Sequence, residues 1–138
     1  MSRIISSTLL CALVFLQTGC IGCFFPPTAK VKIEVPESIR TEDLFKIVQE
    51  SSIGTIYRDL TRTRVWIENR TVYNLEDGIM EIGKIENGGL NIKAERKNNG
   101  KTLIVYLGGV GPYCKDMLEP EKKILKLSDK IKENILKN

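Results

Sequence analysis

Between Lys30 and Val35 apolar and polar residues alternate strictly: Val31, Ile33 and Val35 fall on one side, Lys30, Lys32 and Glu34 on the other. That period of two predicts a half-buried strand, ended by Pro36. The period then changes. Leu44, Ile47, Val48 and Ser51 recur at helical spacing behind Thr41, a favourable N-cap. Glu42 and Asp43 bring negative charge to the positive end of that helix, and Gly54 can supply the left-handed residue that closes it. Further on, Asp77-Gly78, Asn87-Gly88-Gly89 and Asn98-Asn99-Gly100 are reversal signals, since these residues tolerate positive φ. Strands are predicted over Thr63 to Glu68, Ile79 to Glu86, Leu90 to Arg96 and Lys101 to Leu107. The last two form a hairpin that sets Leu90, Ile92 and Ala94 against Leu103, Val105 and Leu107. The chain closes on a helix, with Ile124, Leu127, Ile131 and Ile135 in one stripe and Pro120 in its first turn; Asp116 or Glu119 can cap it.

The pattern therefore predicts an α+β domain of two layers, an antiparallel β-meander with two helices packed on it, in the order βα-ββββ-α. It occupies residues 30–138, and 109 residues are enough to bury a core without metal or disulfide.

The N-terminus follows a different logic. From Ile4 to Phe25 no residue is charged, and Arg3 stands just before. A positive start, an apolar run from Leu9 to Leu16 and then small residues are the parts of a secretory signal peptide. Leu16-Gln17-Thr18-Gly19-Cys20 resembles the lipobox of bacterial lipoproteins, in which the peptide is cut just before an acylated cysteine. Gln17 departs from the family pattern, which prefers an aliphatic residue three places before the cysteine. The resemblance implies a signal peptide over residues 1–19, lipid on Cys20, and a tether over residues 20–29 stiffened by Pro26-Pro27. It also implies a cell-envelope protein held at the bilayer through Cys20. Because Ile21 is not aspartate, the same resemblance implies the outer membrane, facing the periplasm, in a diderm source. Acylation at Cys23, an uncleaved span of these uncharged residues and plain secretion are the alternatives.

Charge narrows the partners. The net charge of +4 becomes +3 once residues 1–19 are removed, because Arg3 is the one charged residue there. Lysines alternate with acids over Lys30 to Glu34 and Lys122 to Glu133, which is a solvated mixed surface rather than a nucleic-acid footprint.

The chain contains no histidine, so a serine triad lacks its base and Cys114 lacks an activator. Zinc ligands are equally short. Carboxylates pair at Glu42-Asp43, Glu76-Asp77 and Glu119/Glu121; the first pair is accounted for as helix-start charge and the second as a turn, so neither of those two calls for acid–base chemistry. Gly108-Gly109-Val110-Gly111-Pro112 lacks the lysine and hydroxyl of a phosphate loop; a connection before the last helix or a ligand-contacting loop are its two readings. No cofactor, metal or catalysis is expected. With Cys20 acylated and Cys11 removed, Cys23 and Cys114 remain, and export to an oxidising compartment invites a disulfide between them; an unpaired Cys23 with a buried Cys114 is the alternative.

Arg58, Arg62, Arg64 and Arg70 gather around Tyr57, Trp66 and Tyr73. On a strand, Arg62, Arg64, Trp66 and Glu68 share the face opposite Val65 and Ile67, and arginine beside tryptophan suits a binding surface. Alternatively Trp66 is core, packed under a helix, with Thr63, Val65 and Ile67 outward. The expected function is binding, to an envelope protein or cell-wall material. A tethered enzyme inhibitor, a toxin-protective protein or a small enzyme are the alternatives.

Overall fold

A computed structural model of the chain describes residues 29–83, 89–110 and 120–138. Five strands form one antiparallel sheet: β1 (Ala29–Glu34), β2 (Thr71–Asn74), β3 (Ile79–Ile82), β4 (Gly89–Lys97) and β5 (Thr102–Val110). Their spatial order is β1-β5-β4-β3-β2, so β2 to β5 are a simple meander and β1 closes the far side against β5. Among the described residues three helices accompany the sheet: α1 (Thr41–Ser52), α2 (Thr61–Arg70) and α3 (Pro120–Leu136). The fold is α+β, as the periodicity predicts.

Register fixes which side chains share a face. Ile33 lies opposite Leu103, Val105 opposite Ala94, Leu107 opposite Ile92, and Met80 opposite Ala94 on its other side. These residues, with Ile82, are buried and meet Leu44, Phe45 and Val48 of α1 and Ile124, Leu127 and Ile131 of α3 in one core. The opposite face carries Lys30, Lys32, Lys93, Glu95, Ile104 and Tyr106, in keeping with the strict alternation. There Glu95 accepts from Lys93 at 2.6 Å and Lys97 at 3.2 Å, and the Lys93 ammonium lies 5.9 Å from the centre of the Tyr106 ring. Hydrogen bonding to Lys93 is the main reason the Glu95 carboxyl is held below the usual glutamate range.

Turn chemistry does what the sequence asks of it. Asn98, Asn99 and Gly100 all have positive φ in the β4–β5 hairpin, as does Gly78 between β2 and β3. Gly54, at φ +82°, ends α1.

Four expectations need correction. Residues 63–68 are not a strand: they lie within α2, and the first strand of the meander is Thr71–Asn74. The β-branched alternation of Thr63, Val65 and Ile67 is also compatible with a helix, and tertiary contacts decide. Ile67 alone of α2 is buried, Arg64 is held by Asp59 at 2.9 Å and Glu50 at 3.3 Å, and Arg70 comes within 5.9 Å of the Trp66 ring across one helical turn. The described residues thus hold three helices rather than two. Thr41 is the first helical residue rather than the cap; Arg40 stands at the N-cap, its side chain bonded to Asp43 at 2.8 and 3.1 Å. Lastly, Gly108, Gly109 and Val110 belong to β5, paired with Asn91, Leu90 and Gly89, rather than to a connection. Gly111, Pro112, Asp116 and Glu119 lie outside the described residues.

Candidate binding surface

The segment from Leu60 to Leu75 carries one short helix and one short strand, and it buries little. Among the described residues, six of the eight exposed large apolar side chains fall within it: Leu60, Val65, Trp66, Val72, Tyr73 and Leu75. The remaining two, Leu125 and Leu136, sit on α3. Scattered surface leucines are ordinary, but six such side chains within the one stretch from Leu60 to Leu75 single out this segment.

The local build explains the exposure. Ile67 plugs α2 into the core, and the Thr71 hydroxyl donates to the Ile67 carbonyl at 2.6 Å, so the helix turns directly into β2. Beneath this corner, the Gln49 amide donates to Thr71 Oγ1 at 3.1 Å and the Tyr73 hydroxyl donates to Gln49 Oε1 at 2.9 Å. The Tyr73 ring stacks on Phe45 with centroids 6.2 Å apart, which ties the edge strand to α1. Burial raises the Tyr73 hydroxyl pKa.

Trp66 is 37% exposed. Its ring meets Tyr57 at 5.7 Å, tilted, and Arg70 at 5.9 Å. It also lies over Gly83, where an added Cβ would come within 3.3 Å of Trp66 Cη2. Tyr57 is the firm part of this support: its hydroxyl donates to the Leu90 carbonyl at 2.9 Å, and desolvation pushes its pKa well above the ordinary tyrosine value. The tryptophan is therefore held in place yet open to solvent, the condition for an anchor residue.

Neither grouping suggested by alternation survives. On a helix, Arg62 and Arg70 flank Trp66 at spacings of four, whereas Arg64 is turned toward Asp59 and Glu50. Trp66 is not a core residue, and Thr63, Val65 and Ile67 do not share an outward face, since Ile67 is buried. Arg62 and Val65 are exposed. The sequence pattern singles out Tyr73 beside Trp66 but not Leu60, Val72 or Leu75. The signal was there: Asp77-Gly78 is a hairpin turn that needs a strand on each side, and Thr71-Val72-Tyr73 is the β-prone run before it.

Elsewhere, a groove of about 430 Å³ lies between the β1–α1 connection and the two hairpin turns, lined by Glu37, Thr41, Asp77 and Arg96 among others. Arg96 fills its floor as a clamp, donating to the carbonyls of Gly100, Ile39 and Pro36 and to Thr41 Oγ1. Those bonds consume the guanidinium in holding loops together. Among the described residues no group of side chains is arranged to hold a metal ion, and no helix is long and apolar enough to cross a membrane. Cys20, Cys23 and Cys114 lie outside the described residues.

No protein-family model matches the chain, and neither a curated protein nor a solved structure matches it.

Proposed function

We propose that the chain is a membrane-anchored envelope lipoprotein whose α+β domain acts by binding, through the side formed by α2 and β2. The anchor in this reading is lipid on Cys20, supported by the charged start, the apolar run and Thr18-Gly19-Cys20. The partner is an envelope protein or cell-wall material within reach of the tether. One observation carries the binding half: exposed large apolar side chains concentrate between Leu60 and Leu75 around a half-open tryptophan held by Tyr57 and Arg70. Aromatic and arginine side chains at the centre of a patch supply most of the energy in known interfaces.

In-cell photo-crosslinking tests it. A photoreactive residue at Val65 or Leu60 should yield discrete covalent adducts in the envelope fraction, and the same residue at Leu125 of α3 should not. Adducts of equal intensity at all three positions, or none at Val65 and Leu60, would refute the assignment of the surface.

A further inference from the structure

We propose that the exposed face of α2 docks on the headgroup layer of a bilayer, with Trp66 at the interface and Arg62 and Arg70 against lipid phosphates. This rests on the reading of the α2–β2 side as a binding surface and narrows it: α2 meets lipid, and β2 is left to the macromolecular partner.

Sheet register gives the direction. Thr71 lies opposite Ile82, Ile82 opposite Ile92, Ile92 opposite Leu107 and Leu107 opposite Ala29, one row across all five strands. Every pairing is antiparallel, so β1 and β2 point the same way, and both start in this row. What precedes each strand in sequence therefore joins the sheet at the same end. α2 joins at Thr71 and the chain before Ala29 joins at the other edge, about 19 Å away at ~4.8 Å per strand. Trp66 is placed at that end, since a Cβ on Gly83, the residue after Ile82, would lie 3.3 Å from Trp66 Cη2. Glu37 belongs to the opposite end, where Glu34 pairs with Thr102 and Val35 N–H donates to the Lys101 carbonyl at 2.9 Å.

The sequence before Ale29 has one outstanding property: Ile4 to Phe25 carry no charge. Acylation at Cys20, acylation at Cys23 and an uncleaved span would each fix the chain in a bilayer a few residues before β1. From Cys20 to Ala29 the reach is at most about 32 Å fully extended. Such a leash keeps the α2 end of the sheet within range of the membrane surface.

The chemistry of α2 fits that surface. At helical spacing Arg62, Trp66 and Arg70 form one line with Val65 and Asn69 beside it, and all five are exposed. Glu68, the one acid of the helix, falls on the other side with Arg64, which is committed to Asp59 and Glu50. Among the described residues neither Arg62 nor Arg70 has a carboxylate partner. Tryptophan favours the headgroup level, where its ring is sheltered and its N–H is wet. Guanidinium groups match phosphate oxygens with paired donors.

Trp66 is the one tryptophan of the chain, so its emission reports the contact. The full chain, purified from membranes, is reconstituted into vesicles of phosphatidylcholine and phosphatidylglycerol whose acyl chains carry bromine near the headgroup. Trp66 should be strongly quenched, whereas a tryptophan moved to the opposite end by Trp66→Phe with Glu37→Trp should not. Arg62→Gln should lower the ratio of docked to undocked chain, read from that quenching, about fivefold, and Arg62→Lys should retain it. Equal quenching at 66 and 37, an unquenched Trp66 in chain that floats with the vesicles, or chain that does not float would each overturn the docking. Protein adducts at Val65 in cells together with an unquenched Trp66 would leave the binding reading standing with a macromolecular partner on α2. Absence of both would remove the two readings together.

Discussion

Four hydrogen bonds converge on Arg96, from Pro36 O to Thr41 Oγ1, and they join the β1–α1 connection to the β4–β5 hairpin. Sequence pattern places Arg96 as an ordinary polar residue late in a strand. Its role depends on loops about sixty positions away, which no local period encodes. Arg96→Ala should cost about 1 to 2 kcal/mol in denaturant unfolding, because three carbonyls, two of them in part-buried bonds, lose a charged donor at once. Arg96→Lys should not recover it, since one ammonium cannot copy the planar fork. Unfolding midpoints within error of wild type would show that the clamp is incidental. Gly83 is a second such position: φ is +69°, and a Cβ there would meet Leu90 O and Asn91 Oδ1 at 3.1 Å and Trp66 at 3.3 Å. Gly83→Ala should lower stability by about 1 kcal/mol or more and shift Trp66 fluorescence, which is a single-residue signal because the chain has one tryptophan. For Glu95, the folded carboxyl titrates below its unfolded value, mainly through Lys93. Its contribution is therefore present above the unfolded pKa and is lost as pH falls through the lower, folded one. Glu95→Gln should flatten the acid limb of stability against pH, and an unchanged limb would contradict the pairing.

At the scale of elements, legibility followed amphipathicity. α1 and α3 each present a continuous apolar stripe, and the stripe residues Leu44, Ile47, Val48, Ile124, Leu127 and Ile131 are buried as their spacing predicts. The β4–β5 hairpin was equally plain, because Asn98-Asn99-Gly100 sits between two alternating runs. α2 was not legible. It buries Ile67 alone, so its sequence carries almost no helical period, and the contacts that favour helix come from Asp59, Glu50 and Tyr57 outside it. Weak amphipathicity is itself informative, since an element that buries one residue leaves the others available to a partner. Within the candidate site, Trp66 and the arginines were legible by type, and their grouping was not, since it depends on helix or strand. Ile131→Asp should destabilise the domain by several kcal/mol, whereas Leu125→Asp on the exposed side of the same helix should stay within about 0.5 kcal/mol. Equal effects of the two would contradict the orientation of α3.

For the whole molecule, the proposal couples a lipid anchor, a short tether and a domain with one open side. If Cys20 is the acylated residue, Cys23 and Cys114 are the remaining thiols of the mature chain. Closing a loop of about ninety residues would stabilise the domain by roughly 4 to 5 kcal/mol on chain-entropy grounds, before any strain is subtracted. Non-reducing peptide mapping from the native envelope should find that link, and Cys114→Ser should free Cys23 for alkylation. Two alkylatable thiols in untreated protein would exclude the disulfide and leave the anchor untouched. A lipid anchor would decide which partners the open side can meet. Intact-mass spectrometry of the membrane fraction tests it most directly. The expected species is a chain lacking residues 1–19 and carrying acyl chains, with both changes abolished by Cys20→Ala. A full-length, unmodified species in that fraction would contradict it.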